Sequence, residues 1–329
     1  MPSNSRRLPF KKISDYAEFG QSDEPLSLYN SLVNLNENMS HLGIIWKQMI
    51  SKLRSILSVK SFLFRQFLAE AFGTFFFISF GLGSVAQYVF AGRKSFLAVN
   101  LSFGLGLALA ILVVGRISGG HLNPAVSLSM LLLGRIKFLK FLVFMLGQFL
   151  GSFFAALMVF VVYYDNIASF KNGMHSITTA GIFATYPTDL FEANLFNLFL
   201  DQFFSTALFI ITILGVTDKR NNDLANEKTA FMIGISLTVI GTSFGYNCGF
   251  AVNPARDLAP RIFTSIAGWG WKPFTVGNYF FWIPVVAPFL GSILGTLLYS
   301  LFISNHWPDS NNAEDYDDDD DNEDDDNQY

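Results

Sequence analysis

The sequence predicts an all-α membrane protein of six transmembrane helices and two re-entrant half-helices, arranged as an inverted 3+3 repeat. Three observations predict it: long uncharged apolar runs, an Asn-Pro-Ala triplet that occurs twice, and collinear matches between the two halves of the chain. Of 329 residues 51% are apolar, 15% are charged and 37 are phenylalanine. A soluble core can absorb that composition, but not in unbroken runs of the length found here.

Taken in order, residues 1–60 are mostly polar and read as a cytoplasmic tail with no visible signal peptide. Near the end of this tail Leu42, Ile45, Trp46, Met49, Ile50, Leu53, Ile56 and Leu57 recur at helical spacing with Lys47, Lys52 and Arg54 between them. This pattern predicts an amphipathic helix over about 42–57, docked on the cytoplasmic membrane face or read by a calmodulin-like partner. Asn38-Met39-Ser40 fits a glycosylation sequon, but on the side where it is expected to stay unmodified. The body of the protein is expected over 61–305. Runs 72–92, 96–115, 141–164, 229–252 and 279–305 carry no charge. Each approaches or exceeds the ~20 residues a helix needs to cross a bilayer. A sixth candidate, 195–217, contains one charge, Asp201, and is the weakest of the six on that count. With a cytoplasmic N-terminus, 16 of the 22 Lys and Arg residues fall on the cytoplasmic side, so both termini are expected there. The single cysteine, Cys248, excludes an internal disulfide.

The chain repeats itself. Residues 118–125 (SGGHLNPA) return as 247–255 (NCGFAVNPA), with the triplets 130 positions apart. Upstream, 69–74 (AEAFGT) aligns with 201–206 (DQFFST); downstream, 148–152 (QFLGS) aligns with 288–292 (PFLGS). Repeat one therefore covers about 64–165 and repeat two about 194–304. Each has three spans, an odd number, so the second enters the membrane inverted, and functional elements are expected where the halves meet near the midplane. Any single Gly-Ser match is equally well explained by close helix packing; three collinear matches are not.

Asn favours the N-cap and Pro the first helical position. Asn123-Pro124-Ala125 and Asn253-Pro254-Ala255 thus each read as the start of a helix. The apolar stretch after the first is too short to span, which suggests a re-entrant half-helix lining a cavity. Two such half-helices, mutually inverted, would meet with their positive N-termini at the centre of a pore. That field repels cations and protons and offers donors to a passing oxygen.

On these motifs, and most specifically on 249–260 (GFAVNPARDLAP), the sequence resembles the major intrinsic protein family, and within it the aquaglyceroporin branch, over about residues 64–304. Asp257 after Asn-Pro-Ala-Arg is the glycerol-facilitator form of the motif. The resemblance implies a passive channel for glycerol, water and other small neutral solutes, with urea a further candidate, the lipid bilayer as surroundings and a homotetramer as assembly. It implies a selectivity filter at Phe103, Gly241, Phe250 and Arg256, where strict water channels carry His at the position of Gly241. It also implies that Glu70 and Gln202 hold the re-entrant loops, the second as an amide, while Asp257 shapes its loop rather than touching solute. Physical reasoning agrees: glycine leaves width, two phenyl rings form an apolar corner, and Arg256 offers five donors while excluding cations. His121 is read as a loop-packing residue.

No metal-ligand spacing, nucleophile–base pair or cofactor motif is present, so neither an enzyme nor a cofactor is expected, and nucleic acid is not an expected partner. A water-selective channel is the nearest alternative. A secondary transporter would need ionisable groups within the spans, for which Glu70, Asp201 and Arg256 are the candidates. The plasma membrane is the expected location. The C-terminal tail, 306–329, carries 11 acidic residues between 314 and 326; without them the net charge of −4 becomes +7. Such a run reads as disordered.

Overall fold

The computed structural model describes residues 24–307; residues 1–23 and 308–329, including the acidic run, lie outside the described residues. The chain divides into two units, Met1–Lys60 and Ser61–Tyr329. In the first, helix α1 (Glu24–Leu57) runs for 34 residues. It starts well before the stretch that hydrophobic periodicity marks, with Pro25 in its first turn, where a missing N–H costs nothing. Leu42, Ile45, Trp46, Met49, Ile50 and Leu53 are exposed on it.

The second unit holds α2 (Phe62–Phe90), α3 (Phe96–Ser118), α4 (Pro124–Leu132), α5 (Phe138–Val162), the short α6 (Tyr164–Ala168) and α7 (Ile177–Ala180), α8 (Leu195–Thr217), α9 (Asn226–Phe244), α10 (Pro254–Thr264), α11 (Lys272–Tyr279) and α12 (Ile283–Phe302). Among the described residues there is no strand. Five helical stretches are long and apolar enough to cross a membrane: α2, α3, α5, α8 and Lys272–His306, which contains α12. Despite Asp201, α8 is one of them. The less apolar sixth helix is α9, 19 residues long with Glu227 and Lys228 in its first turn. It stops at Phe244 instead of continuing to 252, because the chain turns there toward the second half-helix.

The two halves pack by one pattern. Helix α2 packs on α3 and α5 as α8 packs on α9 and α12, and α4 packs on α12 as α10 packs on α5. The crossing of α3 with α9 lies on the pseudo-twofold that exchanges the halves. Close approach of helix backbones explains the matched Gly-Ser pairs. A Cβ on Gly151 would run into the Ala71 carbonyl, and one on Gly291 into the Phe203 carbonyl. These two contacts are equivalent in the repeat, so small residues are required at both.

Candidate pore

The centre of the second unit is built by the two half-helices. Asn123 caps α4, its Oδ1 accepting from Ala125 N at 2.9 Å. Asn253 caps α10, accepting from Ala255 N at 3.0 Å and Arg256 N at 3.1 Å. Pro124 and Pro254 each occupy the first helical turn, as the cap requires. Each asparagine also reaches across to the other half: Asn123 Nδ2 donates to Val252 O and Asn253 Nδ2 to Leu122 O, both at 2.9 Å. Those carbonyls are aimed by backbone in the left-handed region, with φ of 54° at Leu122 and 40° at Val252. For branched residues this conformation costs on the order of 1–3 kcal/mol each, and the cross-bonds hold it in place.

Two side chains brace the loops that bear these carbonyls. Glu70 accepts from His121 N at 3.0 Å and, through its other oxygen, from Leu122 N and Gln148 Nε2, both at 2.8 Å. In the second half Gln202 Oε1 alone accepts from Ala251 N at 3.0 Å and Val252 N at 3.2 Å. Its Nε2 donates to Gly249 O at 2.9 Å. The carboxylate missing at 202 stands one position earlier, where Asp201 accepts from Asn247 Nδ2 at 2.7 Å and from Gln202 Nε2 at 3.1 Å. His121 packs edge-on against Phe144 and bonds Ser127 through Nδ1 at 3.0 Å, and it also lines the inner cavity described next.

Two cavities flank a neck. One, of about 210 Å³, contains Asn123 and Asn253 on its wall and extends to His121 and Arg135. The other, of about 630 Å³, opens on the side of the 163–194 connection. Phe103, Phe250 and Arg256 line both cavities and so form the neck. The two rings meet edge to face, 5.4 Å between centroids. The Arg256 guanidinium lies 4.7 Å from the Phe103 centroid and donates through Nη1 to Phe183 O at 3.2 Å. Its Nε has no partner among the described residues. The neck therefore has an aromatic wall and a donor wall. Gly241 is adjacent but lines neither cavity. It sits behind the aromatic wall, where a Cβ would stand 2.9 Å from both Phe250 Cζ and Asn100 Oδ1.

Asp257 does not line these cavities. One of its oxygens accepts from Thr185 N at 2.8 Å and Thr185 Oγ1 at 2.5 Å; the other pairs with Arg261 at 2.7 Å. Arg261, fully buried, donates further to Thr185 O at 2.5 Å and Pro273 O at 2.6 Å. Tyr186 covers its guanidinium at 4.6 Å, and burial pushes the Tyr186 phenol up to about 12. Sequence reasoning passed over Arg261. The signal was available: a cation four residues after Asp257, one turn on, inside a buried half-helix that tolerates no unpaired charge.

With this geometry in view, comparison with known proteins is direct. Residues 56–299 match the major intrinsic protein family. The chain is 43% identical to human aquaporin-9 over 263 residues, covering 78% of this chain and 88% of that one. It is likewise 43% identical to mouse aquaporin-7 over 258 residues, covering 77% and 84%. The crystal structure of the aquaglyceroporin from Plasmodium falciparum superposes with a TM-score of 0.68 at 30% identity, covering 74% of this chain and 98% of that one. Paired half-helices capped by Asn-Pro-Ala, six crossings in inverted halves and a match along most of the length lead to one assignment: this chain is an integral, multi-pass membrane protein that belongs to the major intrinsic protein family.

Proposed function

We propose that the protein is a passive channel, not an enzyme, that conducts glycerol, water and other small neutral solutes in single file through the neck. The observation that carries this reading is the pairing of an aromatic wall, Phe103 and Phe250, with the Arg256 guanidinium opposite, all three lining both cavities. A polyol presents C–H groups on one side and hydroxyls on the other, and this neck offers a surface for each. Beyond the neck, Asn123 and Asn253 line the passage at the apposed N-termini of α4 and α10. Each amide spends one N–H on the opposite loop and has a second available to a passing oxygen. Cations meet Arg256 and then two positive helix ends, which supports their exclusion. In this reading Glu70 and Gln202 fix the loops, Asp257 shapes the approach to the neck, and Gly241 sets its width by leaving room for the Phe250 ring.

The likeness to the Plasmodium falciparum protein, named an aquaglyceroporin, supports the same reading. A transporter reading finds little support, since Glu70 is satisfied by two backbone N–H groups and Gln148, Asp201 accepts from Asn247 and Gln202, and Arg256 is held by the Phe183 carbonyl. The finer assignments belong to the same proposal: a homotetramer with one pore per subunit, in the plasma membrane, with both termini cytoplasmic as the Lys and Arg distribution favours. Stopped-flow swelling of proteoliposomes under glycerol and water gradients tests the function. Glycerol uptake down its gradient, without current and without need of a sodium or proton gradient, is expected. Uptake that requires either ion gradient would refute a passive channel. The mass of the detergent-solubilised particle tests the assembly.

A further inference from the structure

Arg256 is fixed from outside the neck by a chain of contacts that begins one turn along its own half-helix. Its Nη1 donates to Phe183 O at 3.2 Å. Phe183 belongs to a buried, non-helical segment, 182–185, whose backbone polar groups need protein partners because water cannot reach them. Two residues from Phe183, all three polar groups of Thr185 are taken by α10. Its N and Oγ1 donate to Asp257, and its O accepts from Arg261 Nη2. Arg261 in turn pairs with Asp257 through Nε and Nη2, and through Nη1 holds Pro273 O at 2.6 Å. One guanidinium fork thus ties together the half-helix, the segment that carries the acceptor of Arg256, and the first turn of α11.

We infer that Arg261 is a positioning residue for solute selection: through Asp257 and Thr185 it places the Phe183 carbonyl, and so orients the Arg256 guanidinium in the neck. This rests on the channel reading above. Arg261 lines neither of the two cavities; what it controls is the angle at which Arg256 presents its donors. A lysine at 261 keeps the charge beside Asp257, but its compact ammonium cannot span Asp257, Thr185 O and Pro273 O as the planar fork does. With Thr185 loosened, Phe183 O moves, and Arg256 loses its fixed aim. Glycerol, which depends on hydroxyl contacts with oriented donors, is affected more than water.

The test is a double-mutant cycle read as the ratio of glycerol to water permeability in proteoliposomes, using full-length protein with matched thermal stability and particle mass. Arg261→Lys is expected to lower the ratio about tenfold, the factor that loss of one charge-assisted hydrogen bond implies. The same substitution made on Arg256→Ala is expected to leave the ratio where Arg256→Ala puts it, since the group being aimed is gone. An unchanged ratio in folded Arg261→Lys, or an equal fall in both backgrounds, overturns the inference. If Arg261→Lys does not assemble, Thr185→Val decides, because it removes the Oγ1 bond to Asp257 at nearly constant volume on the wall of the larger cavity and is expected to shift the ratio in the same direction, and not on the Arg256→Ala background. Wild-type protein that conducts no glycerol would refute the channel reading itself, an outcome distinct from a conducting wild type with an unresponsive Arg261→Lys.

Discussion

In the proposed filter Arg256 and Gly241 act in opposite ways, one by what it presents and the other by what it leaves out. Arg256 is 6% exposed, and the aromatic ring of Phe103 and the carbonyl of Phe183 hold it on two sides. A permanent cation in a narrow, low-dielectric passage is costly to bury and correspondingly strong against other cations. Arg256→Ala is therefore expected to let small cations leak while water still passes, measured as potassium efflux from proteoliposomes beside water permeability. If efflux stays at the level of empty vesicles, the half-helix ends alone suffice for exclusion. At Gly241 the space behind Phe250 is already taken up, with Asn100 Oδ1 and Phe250 Cζ both 2.9 Å from where a Cβ would be. Gly241→His must displace the Phe250 ring from its present place in the neck. Glycerol permeability should fall by about tenfold or more, the scale on which one added group discriminates in a tight site, and water permeability by less. Equal losses of the two would remove Gly241 from the determinants of width.

Among elements, the half-helices and the helix crossings are held by different physics. The half-helices depend on polar closure: capped by Asn123 and Asn253, cross-linked through Leu122 O and Val252 O, and braced by Glu70 and Gln202. The crossings depend on the absence of side chains. At Gly151 the Ala71 carbonyl fills the place of a Cβ, whereas Gly83, also in a spanning helix, has nothing within 4 Å of that place. Gly151→Ala is expected to destabilise by about 1–3 kcal/mol, as over-packing does. Gly83→Ala is expected to stabilise by about 0.5–1 kcal/mol, since it removes glycine's backbone entropy from a helix. Thermal unfolding of the two purified variants in one detergent distinguishes them, and a lower midpoint for Gly83→Ala than for Gly151→Ala contradicts the packing account. The sequence matches at 151 and 291 are thereby explained by helix approach, while those around the Asn-Pro-Ala triplets are tied to the cavity.

For the whole molecule, the repeat closes each half-helix within one bundle, α4 against α5 and α12, α10 against α12 and α5. The helices of that closure all lie between Pro124 and Phe302. Deleting 1–60 or 306–329 is accordingly expected to leave glycerol and water flux per channel unchanged, as measured in proteoliposomes at low and high salt. The tails carry opposite charge, and screening acts over about 8 Å at physiological salt. A flux that rises on either deletion and equally at high salt would show instead that the tails restrain the passage.

By itself the sequence determined the class, the span count, the inversion and the centre of the pore. Local chemistry with a period or a motif carries that information: apolar runs as long as a bilayer is thick, an Asn-Pro start repeated at 130 residues, and a cation after the second triplet. It also brought Phe103, Phe250 and Arg256 into one candidate set, through family resemblance rather than spacing. Tertiary structure alone decided that Gly241 lies behind the ring wall, that each asparagine bonds the carbonyl preceding the other, and that Thr185 spends its polar groups on Asp257 and Arg261. It also decided that α9 ends at Phe244. The reason is common to all four. Each depends on partners far apart along the chain, such as Thr185 with Asp257 or Leu122 with Asn253, whose meeting follows from how the two inverted halves close on each other. Composition and periodicity report which faces must be buried; they do not report what each buried polar group finds when it arrives.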